Sequence, residues 1–210
     1  SLNAGSLWGR PFYILREAWN ILNAIAEGKI ESGDEKKLNA LKGETMAVIA
    51  LCQFDLTRCF GYPYTKDKGA SLGAPLIDHL VGTYENPPRS TVAQAYDFII
   101  ETLEEAVTLM SEEKNNGRMN KYAARALLAR IYLYHDDNRK AFDLADQLIK
   151  DADTSGSYAL YPHEKYVAAW SVEAKFGSES FFEIANSVDD TPGRDSWGYL
   201  LNWYGYQKGF

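Results

Sequence analysis

Apolar residues recur along this chain at three- and four-residue intervals, and that period predicts a succession of helices. The first runs from Pro11 to Glu27, with Pro11 suited to the opening helical position and Gly28 to the position just past the end. The second runs from Leu38 to Phe60, with Leu38, Leu41, Thr45, Val48, Cys52 and Cys59 on one stripe and Gly61 and Pro63 as its stop. Thr91 and Gln94 make a capping box for a third, whose face is Val92, Ala95, Tyr96, Ile99, Leu103, Ala106, Val107 and Met110 and whose end is Asn115-Asn116-Gly117. Asn120 caps a fourth, Lys121 to His135, and a tight turn at Asp136-Asp137-Asn138 leads to a fifth, Arg139 to Lys150. Past Tyr158 the period fades. Tyr161 to Glu173 reads as one more short helix, Ser180 to Ile184 as a short strand, and the chain from Asn186 onward as loop.

The fourth and fifth helices carry a more specific spacing. Ala129, Tyr132 and Ala141 stand where a tetratricopeptide helix pair places a small, an aromatic and a small residue, while Ala145 replaces the usual large one. Small residues let antiparallel helices approach closely, and the tyrosine fills the groove between repeats. Such pairs cannot bury their faces alone, so the first three helices are expected to supply further repeats. The expected fold class is therefore all-α: tetratricopeptide-like stacked helix hairpins with long irregular loops and at most a short strand. Residues 1–185 would form this scaffold, residues 62–90 would be a loop insertion within it, and residues 186–210 would be the truncated start of an irregular, aromatic-rich region.

Composition narrows the function classes. A net charge of −7 without a Lys/Arg run opposes a phosphate backbone, so no nucleic-acid partner is expected. No stretch approaches the roughly 20 apolar residues of a membrane-spanning helix. The first residues lack the pattern of a signal peptide, and the chain stops at Phe210 inside an aromatic-rich stretch; it is expected to be a piece of a longer protein. Cys52 and Cys59 lie about 10 Å apart along one helix, too far to bridge, and are expected as buried free thiols.

Catalytic and metal chemistry has no foothold in the sequence. Gly69-Ala70-Ser71-Leu72-Gly73 matches the nucleophile-elbow pattern of serine hydrolases, but that motif needs an apolar strand before it and a helix after it. Here Thr65-Lys66-Asp67-Lys68 precede it and Ala74-Pro75 follow, so a loop is expected. His79, His135 and His163 are scattered, and no pair has metal-ligand spacing. The acidic stretch Asp189 to Asp195 lacks the alternating ligands of a calcium loop. No cofactor is expected.

Several segments, in order, resemble one family. Leu41-Lys42-Gly43-Glu44 through Phe54-Asp55-Leu56-Thr57-Arg58-Cys59-Phe60-Gly61-Tyr62-Pro63 resembles a helix of the SusD/RagB family. Arg89-Ser90-Thr91 through Tyr96, Ile99 and Leu103 is similar to its next segment, and Gly117-Arg118 with Lys121, Ala123-Ala124 and Leu127 to Tyr134 to the one after. Ser178 to Ile184 resembles its S-x-E-x-I-F-E-I segment, and Tyr13 with Asn20 its first helix. Ala47, Ile49 and Thr102 depart from the family pattern, where Phe, Arg and Asp are common. The resemblance implies a tetratricopeptide-type scaffold and non-catalytic capture of a glycan or other nutrient. It also implies a SusC-like TonB-dependent transporter as partner, and an outward-facing place on the outer membrane through a lipid anchor outside this chain. The competing reading is a tetratricopeptide adaptor for a protein or peptide.

Candidate site residues follow from chemistry. Sugar rings stack their C–H faces on exposed aromatic rings and need a polar rim. Trp8 with Arg10 offers this before the first helix, and Trp197, Tyr199, Asn202, Trp203, Tyr204 and Tyr206 offer it in the tail. The Gly- and Pro-rich stretch from Tyr62 to Arg89 is expected to be a partner-contact surface through Tyr62, Tyr64 and Tyr84. Glu44, Arg58 and Arg118 are expected to pair between helices, Tyr132 and Tyr134 to fill grooves, and Trp19 to lie in the core.

Overall fold

In a computed structural model, residues 4–30, 32–114, 117–170 and 175–184 are described. Helices form where the apolar period runs: α1 over Ala4–Ala26, α2 over Glu35–Phe60, α3 over Val92–Leu109, α4 over Lys121–Tyr134 and α5 over Asn138–Ser155. Side chains satisfy the first amides of three of them. Asp34 accepts from the Lys36 and Lys37 amides, Thr91 and Gln94 close the expected capping box, and Asn120 accepts from the Ala123 amide at 3.1 Å. Gly156 closes α5 in the left-handed conformation, φ 67°.

Three helix ends differ from expectation by about a turn or more. α1 starts earlier, so Pro11 sits inside it rather than at its first position. The added turns carry Trp8, whose ring packs edge-on against Phe60 at the end of α2 and holds them down. α3 stops at Leu109, because Met110 turns extended and is buried against α2; Asn115 and Asn116 lie outside the described residues. α5 continues past Lys150, since Leu148 and Ala152 are buried with Tyr122 and Tyr158.

Successive helices pack in chain order, α1 on α2, α2 on α3, α3 on α4 and α4 on α5. The tight turn at residues 135–137 reverses the chain, with Asp136 at φ 69° and the Asp137 amide donating to the Tyr132 carbonyl at 2.9 Å. Arg125 near the start of α4 then meets Asp151 near the end of α5 at 2.7 Å, so the pair is antiparallel. Ala129, Tyr132 and Ala141 are all buried. The fold is all-α, with hairpins stacked in the tetratricopeptide manner.

α2 is the central helix and is buried on two faces. Met46, Ala47, Ala50 and Phe54 join α3 and α4 in one cluster, while Ile49, Cys52 and Leu56 join Leu15 and Ala18 of α1 in another. A single apolar stripe was the expectation; two explain why Ile49, where the family commonly has Arg, is fully buried. Gly43 lets α3 approach: a Cβ there would lie 2.7 Å from Met110 Cγ and 2.9 Å from the Ala106 carbonyl oxygen. Burial raises the Cys52 thiol to about 11. Cys59 is exposed, a correction, because α2 outruns the core in its last turn.

The segment from Tyr62 to Arg89 is also more ordered than its composition suggests. A short 3₁₀ turn, Tyr64–Lys66, leads to an antiparallel pair, β1 over Leu72–Pro75 and β2 over Arg89–Thr91. Ala74 and Ile77 are buried in the α1–α2 cluster. Farther on, His163–Lys165 and Ala168–Trp170 are separate 3₁₀ turns rather than one helix. Ser180 to Ile184 forms no strand: Phe181 packs against Tyr122 and Tyr158, and Glu183 accepts from the Phe176 amide at 2.8 Å.

Candidate functional site

The first turns of α1 and the chain after β1 face each other across a cleft of about 580 Å³. One wall is aromatic. Trp8 meets Phe12 at a centroid distance of 5.0 Å and Phe60 at 4.7 Å, both edge-on, and stays 38% exposed. The facing wall is Pro75, Ile77, Val81 and Pro87, with Thr83 and Asn86 as its polar groups, and Arg16 of α1 adds a cation on the aromatic side.

The facing wall is held from below by α2 and α1. Gln53, fully buried, donates to the Pro75 carbonyl at 3.0 Å and accepts from the Ile77 amide at 3.3 Å. The Trp19 indole donates to the Ile77 carbonyl at 3.2 Å, which places Trp19 in the core as expected. Arg89 adds two bonds across the strand pair, to the carbonyls of Gly73 at 2.7 Å and Leu72 at 3.0 Å.

Next to Gly82, which lines the cleft, lies an exposed clamp. His79 Nδ1 lies 2.6 Å from Asp78 and Nε2 lies 2.7 Å from Glu85, while the other Glu85 oxygen accepts from the Gly82 amide at 3.0 Å. Both ring nitrogens donate only in the imidazolium form, so Asp78 first and Glu85 second raise the His79 pKa above its ordinary 6.5. Glu85 is held below its ordinary value, first by the Gly82 amide and then by His79. The clamp's histidine contribution is therefore full below pH 6.5 and lost as pH rises through the elevated value. The glutamate contribution has the opposite sense and is lost as pH falls through the lowered value. An NMR titration of the His79 ring is expected to give a midpoint above the ordinary value, returning to it in Glu85→Gln with Asp78→Asn. An unshifted midpoint in the parent chain would show that the clamp does not persist in solution.

Of the residues singled out by sequence, Trp8 lies in this cleft. Arg10 is exposed on α1 and does not line it. Trp197, Tyr199, Asn202, Trp203, Tyr204 and Tyr206 lie outside the described residues. Tyr84 is 95% exposed, and Tyr62 is exposed with the Lys66 ammonium 3.0 Å from its ring centroid. Tyr64 is half-buried, wedged against Tyr96 at 5.6 Å and His135 at 4.2 Å. Sequence reasoning missed Phe12 and Arg16, although both follow Trp8 at helical spacing, and read the residues from Ile77 to Pro87 as part of a partner-contact surface, where the structure makes several of them a wall of the cleft.

The remaining candidates make contacts within the chain. Ser71 donates to Asp67, and a strand follows rather than precedes it, so the hydrolase elbow is absent. Arg118 Nε donates to Glu44 at 2.9 Å, and the other Glu44 oxygen accepts from the Met119 amide at 3.0 Å, tying the start of α4 to α2. Arg58 pairs within α2, with Asp55 at 2.8 Å. Beside the Glu44–Arg118 pair is a second cleft of about 640 Å³, floored by Leu41, Met110 and Met119, with no aromatic ring in its lining. Tyr132 fills the groove against Glu104, whereas Tyr134 remains 41% exposed at the groove's edge. Among the described residues no group of three or more His, Cys, Asp or Glu is placed to hold a metal, and no helix is long and apolar enough to cross a membrane.

Comparison with known proteins bears on this arrangement. A SusD-like family model, described as starch-binding and associating with the outer membrane, matches residues 3–133. No curated protein matches. A putative sugar-binding protein from Bacteroides vulgatus is similar at 39% identity and TM-score 0.87, over 96% of this chain and 45% of that one. A SusD superfamily protein from Bacteroides thetaiotaomicron is similar at 39% identity and TM-score 0.82, over 89% of this chain and 40% of that one. A SusD-like carbohydrate-binding protein from Bacteroides vulgatus shares the fold at 23% identity and TM-score 0.74, over 88% of this chain and 38% of that one. The chain thus spans less than half the length of these solved structures. With the family model covering more than half of the chain and two relatives at 39% identity across most of it, the chain belongs to the SusD-like family.

Proposed function

We propose that this chain is part of a non-catalytic glycan or nutrient binder on the outer face of the outer membrane, which passes its ligand to a SusC-like TonB-dependent transporter. The observation that carries the reading is the cleft built on Trp8. An aromatic wall beside a polar rim suits a sugar ring, whose C–H face stacks while its hydroxyls find Arg16, Thr83 and Asn86. The relative at 39% identity described as a putative sugar-binding protein supports the same ligand class. Arg10, exposed on α1 between Trp8 and Phe12, and the tail residues Trp197, Tyr199, Asn202, Trp203, Tyr204 and Tyr206 are proposed to extend the surface. Tyr62 and Tyr84, both exposed, are proposed partner contacts, together with the half-buried Tyr64 of the same segment.

Trp8→Ala is the direct test. The loss of one stacking ring, about 1–1.5 kcal/mol, is expected to weaken binding of a neutral oligosaccharide roughly tenfold by calorimetry. Asn86→Ala should weaken it less. Oligosaccharide affinity unchanged in Trp8→Ala would move the site away from this cleft, and no binding of any neutral oligosaccharide by the parent chain would remove the glycan reading.

A further inference from the structure

Two arginines from different helices converge on one pair of aromatic rings. Phe54 of α2 is fully buried, and Tyr134 at the end of α4 meets it edge-on at a centroid distance of 5.4 Å. Arg58, one turn after Phe54, holds its guanidinium carbon 5.6 Å from the Phe54 centroid and 5.9 Å from that of Tyr134. Arg130, one turn before Tyr134, holds its own at 5.9 Å and 6.0 Å from the same two rings. Arg58 and Arg130 also keep the Tyr134 phenol below its ordinary pKa, Arg58 the more strongly.

Bringing two guanidinium groups together is unfavourable without an anion between or beside them. Asp55 offsets one, at 2.8 Å from Arg58. Arg130 has no carboxylate partner among the described residues, in a chain whose net charge is −7. A cation near a helix C-terminus complements the helix dipole, but that requires no convergence of two such cations on a shared ring. The Tyr134 hydroxyl accepts from both guanidinium groups, and Asp55 takes a further N–H of Arg58; each guanidinium carries five N–H donors, and those that remain, most of all on Arg130, can take a carboxylate.

The surroundings bear on what brings the carboxylate. Tyr134 is 41% and Leu133 57% exposed, and Arg130, Leu133 and Tyr134 share one face of α4 by helical spacing. Tyr64 packs tilted against His135, the residue after Tyr134, at a centroid distance of 4.2 Å. Neither of the two clefts includes Arg58, Arg130 or Tyr134. Small ligands require concavity, whereas Arg and Tyr on an open surface are the side chains that anchor protein interfaces.

We propose that this patch docks an acidic segment of a protein partner, with Arg130, beside Arg58, taking a carboxylate through its remaining N–H groups and Tyr134 and Leu133 giving the apolar contact. The arginines are pre-set by the rings, so little side-chain freedom is lost on docking. Hexaglutamate titrated at low salt into the full 210-residue chain, followed through the arginine Nε–H NMR signals, tests the assignment. Saturable shifts at Arg58 and Arg130 are expected, with binding at least fivefold weaker in Arg130→Gln and an unchanged melting temperature. Arg139→Gln, which removes the same charge from the exposed surface of α5, should bind as the parent does. Equal weakening in both variants would reduce the effect to net charge and overturn the site. Unshifted Arg130 signals would overturn it too, and trigalacturonate binding as tightly as hexaglutamate would replace the protein segment with a small acidic sugar.

Discussion

Replacing Phe54 with alanine is expected to lower stability by about 3–5 kcal/mol, measured as a shift in denaturant midpoint at unchanged slope. Its ring is fully buried where α2, α3 and α4 meet, edge-on to Tyr96 at 6.2 Å and to Tyr134 at 5.4 Å. The cavity left behind cannot fill by local collapse, because the neighbours belong to three different helices. Phe54→Leu keeps most of the volume and should cost less than about 1.5 kcal/mol. A loss below about 1 kcal/mol for the alanine variant would mean that these helices repack freely around the site.

Gln53→Leu, one residue earlier, is expected to cost about 2–5 kcal/mol for a different reason. Leucine fills the space but makes neither hydrogen bond, so the Pro75 carbonyl and the Ile77 amide are left buried without partners. The local consequence should exceed the global one. Amide exchange at Ile77 should rise, and oligosaccharide affinity at the Trp8 cleft should fall, because Gln53 fixes the wall that faces the tryptophan. Unchanged exchange at Ile77 with stability within about 0.5 kcal/mol of the parent would show that Trp19 and Arg89 suffice to hold the segment.

These two neighbours also show where the sequence stopped being legible. Phe54 lies off the single stripe read from spacing, Leu38 to Cys59, and is core because α2 is covered on a second face. Gln53 reads as a polar, outward position, since nothing local tells that a Gly- and Pro-rich segment folds back over α2 and needs both ends of its amide. Elsewhere the division is between local and distant causes. Capping at Thr91 and Asn120, and the turn between α4 and α5, are local chemistry and formed as expected. β1 and β2 pair across a long connection, and Phe181 sinks between Tyr122 and Tyr158 instead of joining a sheet; both outcomes depend on residues far away in the chain. Trp8 was visible as an aromatic with a nearby cation. Phe12 and Arg16 became cleft residues only because α1 extends to Ala4 and turns that face toward the loop.

Pro11 gives α1 a property that no other helix described shares. Its missing N–H leaves the Leu7 carbonyl without the bond that would stitch one turn to the next, so the helix is weakest where the Trp8 turn joins the rest. Leu15 and Ala18 anchor the later turns in the core, whereas the earlier turns rest mainly on the contact of Trp8 with Phe60. The helix is thus two cooperative units joined at a weak bond, and the unit that opens first carries the stacking ring. Whatever fills the cleft and presses on that ring therefore adds order to a turn that the backbone alone holds loosely, and ligand occupancy becomes readable as slower amide exchange in residues 5–10 while the helix beyond Phe12 stays unchanged.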